Sequence, residues 1–430
     1  MTAEPLCSTQ QGGWMPSDLQ VLEAFLLRHA VRTTAKRAAN AALNDAVQAL
    51  ADHCRDNGTS RMLLHRALDQ SPRDLVEHHP LYTIEDLLWA INAVLDTAPE
   101  YSKDGLVGFP INAILALTMG TPAGFEAYRN PHINACLRSI LNAWSEFLNS
   151  PESTYVLERW LAVQDDDDHM EDFEWDRNSP NGGFSSWNEF FIRPLRGGNK
   201  GDKPPRPIAG PNDPRVITSA CDSRVVKISR GVSRVSKFWI KSQPYSLSDI
   251  LGPELGQVQL PVPEGQPDRY PDIFAGGDIM QAFLNAKKYH RWHSPVSGHV
   301  VRTVNVKGTY YSGLQGAPVD PTPPDGSQGY IAHVAARAVI IIQAAEPVGL
   351  IAIVPVGMAE VSSCRIAEKF ENATEDEGIP VEKGEELGYF QYGGSTHLVI
   401  TRRGVVQDFD VEPGGKIKMG QQIALCQPEV

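Results

Sequence analysis

The sequence predicts an α+β chain: a helical amino-terminal domain over residues 17–163, an acidic and glycine-rich linker or lid over 164–183, and a β-rich domain over 184–430. Two textures carry that expectation. Apolar residues recur three and four apart as far as Leu161, and beyond about residue 210 they gather into short β-branched runs bounded by glycine and proline. Residues 1–16 fit neither pattern and are expected to form a flexible terminus. A length of 430 residues with 42% hydrophobic content suits two or three ordinary globular domains.

In the helical part, Ser17 with Gln20 and Thr83 with Asp86 each set a hydroxyl three residues ahead of a polar partner and an apolar run, as a capping box does. Leu43, Val47 and Leu50, then Leu87, Leu88, Ile91 and Leu95, follow at helical spacing, and Trp144, Phe147 and Leu148 read as a helix face packed into a core. The run from Leu106 to Met119 is broken by Gly108, Pro110 and Asn112 and is too short to span a bilayer, so a buried helix is expected there. The break holds four adjacent aspartates, Asp165 to Asp168, and then Asn178 to Gly183. Mutual repulsion favours a solvated linker; a divalent cation on Asp165, Asp167 and His169 is the alternative reading. Strands are expected at Arg224–Ile228, His299–Val306, Ala338–Gln343, Leu350–Val356 and Leu398–Thr401. The stretches Val381–Gly388 and Val411–Gly420 echo each other as strand ends followed by glycine turns.

A formal net charge of −13 and a pI near 5.4 exclude nucleic acid as a partner and oppose contact with an anionic bilayer. The six cysteines are scattered without C-x-x-C or metal-ligand spacing, as expected of reduced thiols. The first residues lack a basic region followed by an apolar core, and a cytoplasmic location is the expectation.

Two motifs carry chemistry. A serine hydroxyl that follows glycine can attack the preceding carbonyl, because glycine leaves the approach open, and Gly394-Ser395 offers such a bond. Alone, Gly393-Gly394-Ser395-Thr396 reads as a plain glycine turn. Beside it stands Tyr289-His290-Arg291-Trp292-His293, with two histidines three apart and Pro295 and Gly298 behind them.

With these blocks in order, and with Phe184 to Leu195, Lys203 to Pro207 and Thr218 to Val225 ahead of them, the chain resembles the phosphatidylserine decarboxylase family from about residue 184 to the end. It departs from that pattern where Ser223 replaces a glycine after Asp222, and where His397 stands in place of an aliphatic residue. Those departures, with the helical extension, resemble the fungal L-tryptophan decarboxylases of psilocybin biosynthesis and similar soluble aromatic amino acid decarboxylases. The resemblance implies a β-rich catalytic domain that cuts itself after Gly394 into a β chain, 1–394, and an α chain, 395–430, which remain each other's partners. It also implies a covalent pyruvoyl cofactor made from Ser395, which condenses with a substrate amine and accepts electrons as carbon dioxide leaves. No G-x-G-x-x-G turn, phosphate loop or pyridoxal-type lysine setting competes with that expectation, and no metal is called for.

Asp222, His293 and Ser395 supply the carboxylate, imidazole and hydroxyl of a serine-protease-like triad for the cleavage. His290 is the candidate acid that returns a proton to the substrate carbon. His397 either lines the substrate pocket or is a strand histidine pointing away. The leading reading is decarboxylation of a free aromatic L-amino acid, most of all L-tryptophan, to its amine and carbon dioxide. The runner-up is phosphatidylserine decarboxylation, and a non-enzymatic β-rich scaffold is the third.

Overall fold

The protein is described by a computed structural model over residues 19–39, 42–71, 80–101, 109–162, 170–197, 203–236, 244–284, 288–313, 327–360, 363–391 and 395–426. The fold is α+β, as expected, and the chain divides into two compact units. One comprises Met1–Asp165, Trp175–Phe190 and Thr309–Tyr330; the other comprises Asp166–Glu174, Phe191–Gly308 and Ile331–Val430. The units interleave along the sequence, where texture predicts a single cut. Texture reports which secondary structure a segment forms, whereas side-chain packing decides where that segment belongs. Trp187 shows the difference: its N–H donates to Ser153 Oγ at 2.9 Å and its ring meets Trp160 edge-on at 6.3 Å, so the segment around it packs with the helices.

The first unit contains α1 (Leu19–Ala38), α2 (Asp45–Asp56), α3 (Gly58–Asp69), α4 (Ile84–Asn92), α5 (Pro110–Met119), α6 (Pro122–Ala127) and α7 (Pro131–Leu148). Thr83 and Asp86 form the expected reciprocal cap of α4. Ser17 and the start of the 106–119 run lie outside the described residues. Proline opens α5, α6 and α7, where its missing N–H has no intrahelical partner to lose. Every residue of α5 is buried, which explains a run apolar on all sides. Among the described residues, no helix is long and apolar enough to cross a membrane. Leu22 and Leu26 of α1 pack on Ala113, Ala116 and Leu117 of α5, and the fully buried Trp144 donates Nε1–H to the Thr97 carbonyl at 2.8 Å.

In the second unit the strands are β1 (Val216–Thr218), β2 (Ser223–Ser229), β3 (Asp278–Leu284), β4 (Arg291–His293), β5 (Gly298–Val306), β6 (Arg337–Ala344) and β7 (Leu350–Gly357). They continue as β8 (Ser363–Ile366), β9 (Ile379–Val381), β10 (Glu386–Gln391), β11 (Ser395–Thr401), β12 (Val406–Phe409), β13 (Lys416–Ile417) and β14 (Gln422–Cys426). An eight-stranded antiparallel sheet runs in the order β13-β2-β3-β11-β7-β6-β5-β9, and two smaller sheets run β1-β14-β12 and β4-β10-β8. Four of the five strands expected from sequence lie within one residue of these bounds at each end; β11 instead begins three residues early, at Ser395. Strands β3, β6, β7 and β11 are buried on both faces, so β6 and β7 read as nearly continuous apolar runs, while β3 and β11 bury polar residues among apolar ones. Val381 does end β9 ahead of a turn at Gly384 (φ 86°), and Val411 lies two residues past β12 with a turn at Gly414 (φ 89°).

Gly388 of β10 lies opposite Trp292 of β4 in the small β4-β10-β8 sheet. A methyl group there would sit 2.2 Å from the Arg365 carbonyl oxygen and 2.6 Å from the Trp292 ring, between the two histidines of β4 and its approach. Gly388→Ala should therefore lower the thermal midpoint by the equivalent of about 2 kcal/mol. Gly256→Ala, at an open helical position, should leave the midpoint unchanged or raise it. Equal midpoints for the two variants in a calorimetric scan would show that Trp292 does not pack as tightly as described.

Candidate active site

Ser395 is the first residue of β11, the strand paired to β3 on one side and β7 on the other, with Leu284 and Gly357 as its direct neighbours. It is fully buried, and its Oγ has no hydrogen-bond partner among the described residues. The next hydroxyl along is fully engaged: Thr396 Oγ1 accepts from Gln281 Nε2 at 3.1 Å and donates to the Ala282 carbonyl at 3.0 Å, while Tyr245 O–H donates to Gln281 Oε1 at 2.6 Å. A buried hydroxyl without a partner costs about 1–3 kcal/mol, so its presence at this position calls for a use. Gly394, the other half of the expected scissile bond, lies outside the described residues.

The histidine block forms β4 and pairs with β10, the strand that precedes Ser395 in the chain, with His293 opposite Glu386. His293 Nδ1 lies 2.8 Å from the Gly384 carbonyl and Nε2 lies 2.7 Å from the Tyr289 hydroxyl. A carbonyl only accepts, so Nδ1 carries the hydrogen, and the Nε2 lone pair accepts from Tyr289. Burial lowers the His293 pKa, against the Gly384 hydrogen bond that raises it, so the ring is a neutral base near neutral pH. Burial likewise pushes the Tyr289 hydroxyl well above its usual pKa.

Asp222 precedes β2 and is 2% exposed. Its carboxylate accepts from Arg206 Nε at 3.0 and 2.9 Å, from Arg206 Nη2 at 2.6 Å, and from the Met419 backbone N–H at 2.7 Å. Burial opposes the charge on Arg206, but the Asp222 carboxylate, and after it Asp172 at 2.7 Å, outweigh that and raise its pKa. Ser223 needs no glycine-like backbone, since it has no positive φ and pairs regularly with Ile417. The Asp222 turn and the histidine block are joined through their backbones, His293 N–H donating to the Ala220 carbonyl at 2.9 Å.

Register fixes the remaining relation. Arg224 lies opposite Phe283, and Phe283 opposite Thr396, so the chain near Asp222 and Ser395 share one end of the sheet, two strands or about 10 Å apart. Among the described residues, no hydrogen bond joins Asp222 to His293 or His293 to Ser395. The hydrogen bonds expected of a triad are instead made to Arg206, Met419, Tyr289 and Gly384. His290 is fully buried with its ring stacked on Phe191 at 3.9 Å and 19°. His397 is fully buried and, two residues along β11, shares a face with Ser395. Arg206 and Tyr289 are the residues that sequence reasoning passed over. Their signals were an arginine inside a proline-rich block and a tyrosine four before a histidine. Among the described residues, no three His, Cys, Asp or Glu side chains are placed to hold a metal, and Asp165, Asp167 and His169 lie outside them.

A carbonyl in place of the Ser395 side chain fits this setting. The position is fully buried, its neighbour Gly357 presents no side chain, and Oγ has no hydrogen bond to another described residue that would have to be given up.

A family model described as phosphatidylserine decarboxylase matches residues 187–425, and a second of the same description matches 44–166. The chain is 32% identical to an L-tryptophan decarboxylase of Psilocybe cubensis over 374 residues, 79% of this chain and 78% of that one. It is 31% identical to decarboxylase iboD of Amanita muscaria over 68% of this chain and 83% of that one. It is 27% identical to phosphatidylserine decarboxylase proenzyme 2 of Oryza sativa over 64% of this chain and 38% of that one. A family model that covers more than half of the sequence, together with a relative aligned along most of both chains, places this carboxy-lyase in the phosphatidylserine decarboxylase family, to which the chain belongs.

Proposed function

We propose that the chain is a self-processing, pyruvoyl-dependent decarboxylase of a free aromatic L-amino acid, L-tryptophan first among them. The observation that carries this reading is the buried Oγ of Ser395 at the head of the central strand, without a hydrogen-bond partner among the described residues. The names of the Psilocybe and rice relatives, a tryptophan decarboxylase and a proenzyme, support its two halves. Cleavage begins when Ser395 Oγ attacks the Gly394 carbonyl and displaces the Ser395 nitrogen, the hydroxyl proton passing by way of the Nε2 lone pair of His293 to that nitrogen, so that an ester replaces the peptide bond. The Tyr289 hydroxyl now bonded to that lone pair either withdraws or passes the proton on. Asp222, held by Arg206, contributes its negative charge to the imidazolium that forms rather than a direct hydrogen bond. Loss of the α-proton of residue 395 then expels the carboxylate of chain 1–394, and the dehydroalanine left behind tautomerises and takes up water, releasing ammonia, to give the pyruvoyl group. When formed, the pyruvoyl group supplies an electrophilic carbonyl and a sink for the electrons of the departing carboxylate. His290 would return the proton to the substrate α-carbon, and the apolar surroundings of position 395 exclude water and favour loss of a buried carboxylate.

Purified protein should run as two pieces on a denaturing gel, 1–394 and 395–430, and Ser395→Ala should stay whole and inactive. Intact wild-type chain that still decarboxylates would end the pyruvoyl reading.

The two histidines should separate by step. His293→Ala blocks or greatly slows cleavage, while His290→Ala cleaves and then turns over poorly. Because His293 must be neutral to accept a proton and burial lowers its pKa, cleavage of freshly synthesised chain should hold its rate as pH falls through about 6.5 and slow only below. A rate that fades with a midpoint above that value counts against His293 as the base.

For the substrate, free L-tryptophan in detergent-free buffer should give saturable release of tryptamine. Fully cleaved protein that is inert toward free aromatic amino acids yet acts on phosphatidylserine vesicles would move the chain to the lipid reaction.

A further inference from the structure

His397 is the one imidazole on the Ser395 face of β11, about 7 Å along the strand from the reacting position, the reach of a substrate side chain rather than of its α-amine. Neither of its ring nitrogens has a hydrogen-bond partner among the described residues, and the residue is fully buried. Its direct cross-strand neighbours are Ala282 and Pro355, small and without polar side-chain atoms. Burial drops its pKa to about 4, opposed only by the backbone carbonyl of Ala282, so near neutral pH the ring is uncharged and keeps one N–H and one free lone pair. Such a group is costly to leave unpaired, and it prefers a ligand that brings a matching donor into a dry, apolar space.

Resting on the tryptophan reading above, we propose that His397 is a specificity-determining residue whose imidazole lone pair accepts the ring N–H of an indole substrate. An indole ring carries one N–H donor and no acceptor, which matches the lone pair that a neutral imidazole presents. A phenyl side chain would fill the same space but leave the lone pair buried and unpaired, as would an indole methylated on nitrogen. Sites built around a substrate N–H reject analogues that lack it more strongly than apolar pockets reject a missing methylene.

The test compares L-tryptophan with 1-methyl-L-tryptophan in the processed enzyme, and tryptamine with 1-methyltryptamine in equilibrium binding. Wild-type protein should favour the N–H compound by about tenfold or more in kcat/KM and in affinity. His397→Leu, read only on protein shown to be cut into its two chains, should shrink both ratios to within about threefold, with the loss falling on the N–H compound. His397→Gln, which keeps an acceptor, should restore part of the preference and serves if the leucine variant does not fold. Wild-type ratios near one, or ratios unchanged by His397→Leu, would overturn the inference while leaving tryptophan decarboxylation standing. Cleaved wild-type protein that is inert toward tryptophan would instead overturn the underlying substrate reading.

Discussion

A strand paired on both sides cannot slide without exchanging two ladders of hydrogen bonds, and β11 is such a strand. Each of its seven residues is matched to one on β3 and one on β7, so the position of Ser395 is set to within the freedom of its neighbours. The same parity decides which side chains see the reacting position. Ser395 and His397 look to one face, and Thr396, locked to Gln281 and Ala282, looks to the other. A slip by one residue would exchange the unsatisfied hydroxyl for a satisfied one.

Around this rigid element the ionisable groups are handled in two ways. His293 and His397 are kept neutral by burial, which leaves lone pairs available without a charge to solvate. Asp222 and Arg206 form a nearly dry ion pair, and the carboxylate also accepts from the Met419 amide and, at 3.5 Å, from Lys418 Nζ. Removing one member of such a pair leaves an uncompensated buried charge, a heavier penalty than losing both. The site thus combines a neutral proton acceptor with a fixed negative charge held at a distance from it.

How much of this was legible follows from what each signal measures. Strands rich in valine and isoleucine between glycines announced themselves nearly to the residue, because β-branching and turn residues act locally. The head of β11 did not, since Ser395, Thr396 and His397 are polar residues in a strand buried on both faces, and only tertiary context buries them. The capping box at Thr83 was readable because both partners lie within one turn. The hold of Arg206 on Asp222 spans sixteen residues and several prolines, and a distance of that kind has no periodicity to betray it. The same applies to the division of Trp175–Phe190 from the segment that follows, which depends on aromatic packing against Trp160. His290 and His293 stand out as a motif, but that the Gly384 carbonyl rather than Asp222 holds Nδ1 of His293, and Tyr289 rather than Ser395 its Nε2, could only come from geometry.

The bond between Asp222 and the Met419 amide has a mechanical meaning once the positions of the two residues along the chain are considered. Asp222 and Arg206 lie before residue 394 and Met419 lies after it, as do β3 and β7 before and β11 after. Breaking one peptide link at that point would sever the polymer without severing the sheet. The short piece would stay threaded through the middle of the larger one, fastened by its Met419 amide to the buried carboxylate of Asp222 and by strand ladders along both sides of its first strand. Such a nicked molecule would behave in solution as a single particle, and its halves would part only when the whole fold is lost.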